Sequence, residues 1–298
     1  MVRIRLTGQK ENPPVLGMTH PGVDNFNIQL YRHYPHVYPV VMKLVQEYNN
    51  VLKTVGSMEQ GAGEVEVEAL FGRLCAGAAQ YFNNTLSVDI MNKMLAMLSS
   101  FGSWDLISDW YIVYDYYAHD QTRTRVSYED KVQRITTIRK DSLSFTDCSY
   151  SREEHDHVDQ SWKLRDYLIR VNMKLESKLP AVEEMTAFRS VKVSIRKYFV
   201  VRSSNLPEIS FRFELIQFWT GVTLAEAERN MISHPPRCTF ECEIMNLPSV
   251  DILSFADKAL LFTSLLLKMQ DFVDIPFYTT LLSTHGDMLT RAPVFRLL

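Results

Sequence analysis

The chain lacks the long uncharged apolar run that a membrane-spanning helix needs. Even its most apolar stretch, Ala259 to Met269, is interrupted by Lys268 and preceded by Asp257 and Lys258. Met1 to Leu16 carry Arg3, Arg5, Lys10 and Glu11 without the apolar core of a secretion signal, so no membrane association is expected. Cysteine is scarce: Cys75, Cys148, Cys238 and Cys242 show neither Cys-x-x-Cys spacing nor a Cys-x5-Arg phosphatase loop, which leaves reduced, non-catalytic thiols as the expectation. A Gly-x4-Gly-Lys-Ser/Thr phosphate loop is missing, which disfavours a P-loop nucleotidase. Excess positive charge is missing too: a net charge of -3 argues against a general duplex nucleic-acid binder, although a local basic cavity stays compatible with it. With 298 residues, 46% of them hydrophobic, the chain is long enough for one large core or two modest ones.

What is present is acidic and periodic. Glu64-Val65-Glu66-Val67-Glu68 and Glu241-Cys242-Glu243 lie at opposite ends of the chain in β-type surroundings. A strand sends alternate side chains to the same face, so each run aims its carboxylates together and Val65, Val67, Phe240, Cys242 and Ile244 the other way. Like charges held that close fit a solvated edge strand, or the surroundings of a bound cation.

The period of the apolar residues marks the elements around these runs. Residues 1–35 read as an irregular arm bearing Pro and Gly, and 36–298 as a single domain. Val41, Leu44, Val45, Tyr48 and Leu52 predict a helix over Tyr38–Val55, ended by Gly56. Ser87 caps a second helix to about Ser99, with Ile90, Met94, Met97 and Leu98 as its buried stripe. Strands are predicted near Asp109–Ala118, Thr122–Tyr128, Val132–Lys140, Leu143–Tyr150, Arg165–Glu176, Val191–Arg202, Ile209–Phe218 and Cys238–Met245. Thr223 and Glu226 form a capping box for Leu224–Ile232, stopped by His234-Pro235-Pro236, and Asp251 to about Phe272 is a longer helix. Strands at hairpin spacing favour an antiparallel sheet or closed barrel over a βαβ fold.

The middle strands carry basic faces. Arg170, Asn172, Lys174 and Glu176 fall on one side of a strand, and Val171, Met173 and Leu175 on the other; Lys192, Ser194, Arg196 and Tyr198 repeat the division, as do Arg212 and Glu214. Such faces suit solvent, or the inside of a polar barrel where Arg and Lys grip polyphosphate and carboxylates hold a metal. Trp104, Trp110, Trp162 and Trp219 read as core residues, Tyr111, Tyr114, Tyr116 and Tyr117 as a packed strand, and His119-Asp120 and His155-Asp-His157 as solvated loops.

The ordered series Glu66-Val-Glu68-Ala-Leu-Phe71-Gly72, Arg123-Thr-Arg125-Val126, Ile138-Arg-Lys140, Arg170-x-Asn172-x-Lys174-x-Glu176, Lys192-x-Ser194-x-Arg196, Arg212-x-Glu214 and Glu241-x-Glu243 resembles the metal-dependent RNA 5′-triphosphatases of the triphosphate tunnel family, the mRNA-capping enzymes of fungal, protozoan and viral type, over roughly Gly63 to Met245. The resemblance implies an α+β fold, an antiparallel eight-stranded β tunnel with flanking helices. It implies Mg2+ or Mn2+ at Glu66, Glu68, Glu241 and Glu243, with Glu64 at the barrel lip, and Glu176 as the acid that orients or activates the attacking water. Arg123, Arg125, Lys140 (or Arg139 in its place), Arg170, Lys174 and Lys192 become phosphate-binding bases; Arg196 and Arg212 are placed with the catalytic groups, as is Glu214, the acidic partner of the last Arg.

The implied substrate is the 5′-triphosphate end of nascent RNA and the implied partner a capping guanylyltransferase, in the nucleus of a cell or, for a viral protein, at an infected-cell transcription site or in the virion. Leu70, Ser194 and Ile216 depart from the family pattern, where a Lys, another base and a hydroxyl residue are usual. They keep open a non-catalytic scaffold on the same barrel, comparable to the tunnel-like subunits of the transcriptional Mediator; a phosphatase acting on free nucleotide or tripolyphosphate stays open too, because such a tunnel recognises mainly the phosphates.

Overall fold

The structure, a computed structural model, describes residues 37–58, 63–75, 81–120, 122–129, 131–151, 167–180, 188–203, 206–248, 250–282 and 294–297. The arm expected over residues 1–35, the loop histidines His155 and His157, and Trp162 lie outside the described residues. Eight antiparallel strands close on themselves: β1 (Glu64–Cys75), β4 (Tyr111–Tyr117), β5 (Thr122–Glu129), β6 (Val132–Ser151), β7 (Tyr167–Leu179), β8 (Ser190–Arg202), β9 (Ser210–Gly221) and β10 (Arg237–Met245). Neighbours run in the order β10-β9-β8-β4-β5-β6-β7-β1, and β10 pairs with β1 to complete the ring. Three short strands extend it: β2 (Tyr81–Asn83) on β1, β3 (Leu106–Ile107) on β8 and β11 (Val294–Leu297) on β6. This is the closed tunnel that the alternating strands and the resemblance implied.

Outer faces make the core. On β1, Val65, Val67, Ala69 and Phe71 are buried, and the outward residues Phe211, Phe213, Leu215, Phe240 and Cys242 of β9 and β10 join them in one cluster. Phe213 and Phe240 stack across that strand pair, with ring centroids 6.2 Å apart. Three helices cover this wall: α1 (Tyr38–Gly56), α2 (Val88–Ser100) and α4 (Phe255–Leu282). Each large side chain buried there is worth about 1.5–3 kcal/mol, so the apolar outside of the tunnel supplies the stability that its charged inside does not. A fourth helix, α3 (Leu224–Ser233), packs Ala227 against Val191 and Val193 of β8.

Local sequence explains these helices. Pro39 sits in the first turn of α1, where no amide hydrogen is needed, and Val41, Leu44, Val45, Tyr48 and Leu52 are buried as predicted. Ser87 caps α2 by accepting from the Ile90 amide at 3.3 Å. The buried stripe of α2 is centred on Met91, Met94 and Leu98, with Ile90 and Met97 only partly buried; the observed face is set by packing against α4 and β10, which periodicity within one helix does not specify. Thr223 caps α3, accepting from the Glu226 amide, and the Glu226 carboxylate in turn accepts from the Val222 amide at 2.8 Å. Ser254 and Asp257 bond reciprocally at the start of α4, which begins a few residues later and ends later than its periodicity predicts.

One expectation is corrected. Val132–Lys140 and Leu143–Tyr150 are not two strands but one strand of 20 residues, whose register shifts between Ser142 and Ser144. Asp141-Ser142 contains neither Gly nor Pro, and the extra residue Leu143 is absorbed as a bulge that bends the strand without breaking it. Val132–Arg139 of β6 pair with β5 and Thr137–Ser149 with β7, so the strand stays paired on both sides of the bulge.

Gly72 shows how tightly β2 seats on β1. A Cβ there would stand 2.5 Å from the Asn83 carbonyl oxygen and 2.7 Å from the Phe82 ring. Gly72→Ala should cost about 1–3 kcal/mol through overpacking, read as a lower denaturant midpoint with an unchanged slope.

Candidate active site

The ring closure builds an acidic wall. Glu64, Glu66 and Glu68 of β1 and Glu241 and Glu243 of β10 point inward, and the register places Glu68 opposite Glu243 and Leu70 opposite Glu241. Glu66 accepts from Lys140 Nζ at 2.5 and 2.6 Å. Glu68 accepts from Lys174 Nζ and, at 3.0 Å, from Asn172 Nδ2. Burial pushes the Glu68 carboxyl up, but Lys174, Asn172 and Lys140 together outweigh it and the net shift is downward. Glu64 stands exposed at the lip, paired with Lys178 at 2.9 Å, which agrees with its expected position.

Glu241 and Glu243 behave differently. Burial, then the neighbouring Glu214 and Glu68 charges, push the Glu241 carboxyl up to about 8. Burial and Glu66 push Glu243 up to about 7 against the pull of Arg212. Both carboxyls are pushed up because burial, reinforced by neighbouring carboxylates, outweighs the pull of nearby cations. Four carboxylates from two adjacent strands are an all-oxygen donor set of the kind that suits Mg2+ or Mn2+, and their surplus negative charge is what such an ion would neutralise. Among the described residues, no group of three or more His, Cys, Asp or Glu side chains is already disposed as a coordination shell, since Lys140 and Lys174 occupy Glu66 and Glu68.

Facing this wall is a basic one organised by Asp115 of β4, a residue that the sequence reading passed over. Its fully buried carboxylate accepts from Arg125 Nε at 2.7 Å and Nη2 at 3.2 Å, and from Arg196 Nη2 at 3.0 Å. Arg123 lies 3.7 Å away and Lys192 4.0 Å. Burial alone would raise the Asp115 carboxyl, yet Arg125, Arg196 and Arg123 hold it well below the usual carboxylate range. Glu214 is shared by Arg196 (3.2 Å) and Arg212 (2.9 Å). It also accepts from the Tyr111 hydroxyl at 2.5 Å, and Arg212 donates to that hydroxyl at 2.8 Å. Burial opposes ionisation of Glu214, but Arg196 and Arg212 bring it down to about 2. The buried Nε atoms of Arg123 and Arg212 have no hydrogen-bond partner, so each retains a donor for an incoming anion.

The remaining candidates sort by their partners. Lys140 bridges Glu66 and Glu176, the latter at 3.0 Å, while Arg139 turns outward to Asp141; Lys140 is therefore the inward base of that pair. Arg170 is held bidentately by Asp147 at 2.6 and 2.8 Å and lies over the rings of Phe82 and Phe145. Arg170, Lys174, Arg196 and Arg212 all keep side-chain exposure at or below 25%, so none faces bulk solvent. Ser194, where the resemblance expects a base, accepts from Arg196 Nε at 2.9 Å, and Ile216 is buried.

Asp115, Tyr111 and Asp147 are the inward residues missed from sequence. For the first two a signal existed: Tyr111, Val113, Asp115 and Tyr117 alternate with Ile112, Tyr114 and Tyr116, the period that marks one strand face. Tyr111 thus lines the tunnel, whereas Tyr114 and Tyr116 pack on the outside beside α3, as a packed strand should. Trp104 and Trp219 pack as core residues, whereas Trp110 is 41% exposed. Asp120 is spent on a turn, accepting from the Thr122 amide at 3.0 Å.

No protein-family model matches the chain, and no curated protein matches it significantly. Among solved structures it is similar to the S. pombe Pct1 RNA triphosphatase, at 14% identity over 77% of this chain and 90% of that one, with a TM-score of 0.49. It is also similar to the Mimivirus capping enzyme triphosphatase, at 12% identity over 77% of this chain and 97% of that one, with a TM-score of 0.44. A structure of the S. pombe enzyme in complex with the Spt5 CTD matches at 14% identity and a TM-score of 0.45, covering 80% of this chain and 93% of that one.

The crowded carboxylates have a stability signature. A carboxyl whose folded pKa is raised binds its proton in the native state over a range where the unfolded chain has lost it, so stability falls as pH rises through that range. With Glu241 near 8 and Glu243 near 7, the chelated protein should lose melting temperature between about pH 5 and pH 8. Glu241→Gln should flatten that decline; an equally steep decline in the variant would show that the crowding lies elsewhere.

Proposed function

We propose that the tunnel is the active site of a metal-dependent RNA 5′-triphosphatase that removes the γ-phosphate of nascent RNA before cap addition. One observation carries the reading: a closed, charged interior in which a carboxylate wall on β1 and β10 faces arginines and lysines of β5, β8 and β9, with the Glu241 and Glu243 carboxyls pushed up by burial and neighbouring carboxylates. Glu66, Glu68, Glu241 and Glu243 would hold Mg2+ or Mn2+, which when bound supplies neutralisation of phosphate charge and a more acidic water.

The chain's own groups do the rest. Arg123 and Arg212 offer their unpartnered Nε hydrogens to phosphate oxygens, and Arg125, Arg196 and Lys192 add positive charge around Asp115. Lys140 and Lys174 stand where they can exchange a carboxylate for a phosphate oxygen. Glu176 is the carboxylate that orients the attacking water and takes its proton at Oε2, beside Lys140. Fixed cations around a transferring phosphoryl group stabilise the charge that spreads over its oxygens, so positioning and electrostatics carry the reaction. Phosphate and diphosphate-ended RNA leave, the latter the substrate of a capping guanylyltransferase, in the nucleus or at a viral transcription site.

A second reading, a scaffold on the same barrel, draws on one specific fact: Asp115, Asp147, Glu66 and Glu68 already engage Arg125, Arg170, Lys140 and Lys174. Phosphate release from γ-labelled triphosphate RNA, ATP and tripolyphosphate, measured with Mg2+, Mn2+ or chelator, separates the two. The triphosphatase predicts metal-dependent release from RNA, and release of none under any metal condition gives the scaffold the lead. Alanine at Glu66, Glu68, Glu241 or Glu243 should lower turnover by about 10²–10³-fold, whereas Glu64→Ala at the exposed lip should change it little. Full activity in a Glu66/Glu243 double alanine variant would defeat the site.

A further inference from the structure

One mouth of the tunnel carries aromatic rings and cations, of which Phe82, Phe145, Phe218 and Arg237 have no part in the triphosphatase chemistry above. Phe145 of β6 occupies an inward strand position, opposite Asn172, yet is 56% exposed. The Arg170 guanidinium lies 4.5 Å from its ring and 4.4 Å from that of Phe82 on β2. Two residues beyond the Asn83 end of that strand, Thr85 accepts from Arg237 Nη2 at 3.4 Å, and Arg237 lies over the Phe218 ring at 5.1 Å. Lys192 approaches the same ring, also at 5.1 Å, and stands 4.0 Å from Asp115 inside. Two ring–cation groups, Phe145–Arg170–Phe82 and Arg237–Phe218–Lys192, are thus joined through the segment from Phe82 to Thr85, and the second reaches the buried cation cluster at Asp115. Among the described residues Arg237 has no carboxylate partner, and its charge is left for an outside anion.

Alternating rings and cations along a strand-built rim are what unpaired nucleotides bind, bases on the rings and backbone phosphates on the cations. Resting on the triphosphatase reading, we infer that this mouth is the subsite for the first nucleotides of single-stranded RNA, with a base on Phe145, the following backbone at Arg237, and Lys192 handing the 5′-phosphates to the interior. The subsite makes RNA a better substrate than tripolyphosphate, which has no base to stack.

The test is fluorescence anisotropy of a short 3′-labelled, 5′-triphosphate single-stranded RNA in chelator, which needs no turnover. Phe145→Ala and Arg237→Ala should each weaken binding about tenfold, Phe145→Tyr should retain it, and Trp110→Ala, an exposed ring outside both groups, should leave it unchanged. With metal present, the ratio of RNA to tripolyphosphate turnover should fall in both alanine variants. Unchanged RNA affinity in both, or equal losses for RNA and tripolyphosphate, would overturn the subsite. If the wild type hydrolyses nothing while Phe145→Ala still weakens RNA binding, the subsite stands and the triphosphatase reading alone fails.

Discussion

Everything in this molecule depends on the pairing of β1 with β10. That ladder joins residues some 170 positions apart and sets Glu68 opposite Glu243, an arrangement that electrostatics alone opposes. The outer halves of the same strands hold it: Val67, Ala69, Cys242 and Ile244 are buried beneath α1, α2 and α4, and a one-residue slip would turn all of them inward and every carboxylate into the core. Closing the ring also removes both sheet edges, so the charged faces end in a tunnel and not on an open surface.

Inside, the protein balances its charges locally. Asp115 gathers two arginines into direct hydrogen bonds, Glu214 gathers Arg196, Arg212 and Tyr111, and Lys140 and Lys174 are matched by Glu66 and Glu68. A buried charge without a partner is costly, and a network of this kind limits that cost while leaving the groups within reach of a ligand of either sign. The imbalance shows at Glu241 and Glu243, whose carboxyls are pushed up, and at the Nε atoms of Arg123 and Arg212, which carry no hydrogen bond. On the triphosphatase reading proposed above, one surplus would take a cation and the other an anion, which a metal–phosphate pair would supply together.

Much of the fold was legible because its signals are local. Period-two alternation in β7, β8 and β9, the caps at Ser87 and Thr223, and the apolar stripe of α1 depend only on nearby residues, and the elements appear where those signals lie. The errors fell where a distant contact decides: β6 passes through a bulge because β5 and β7 both bind it, and α2 turns Met91 inward because of its neighbours. Asp115 shares the strand-face period of Tyr111, but a lone acid among tyrosines does not show what it binds until Arg125 and Arg196 arrive from other strands.

The order of the residues already set which faces are charged and which are apolar, since side-chain alternation follows from backbone geometry alone. Through that alternation it also determined that β1 and β10 each present their carboxylates on one side. Only the tertiary structure decided which carboxylates meet, which cations are already engaged and which donors stay open, because shear and register around a closed ring set those distances. It likewise decided that Arg237, Phe218 and Lys192, far apart along the chain, meet at one ring.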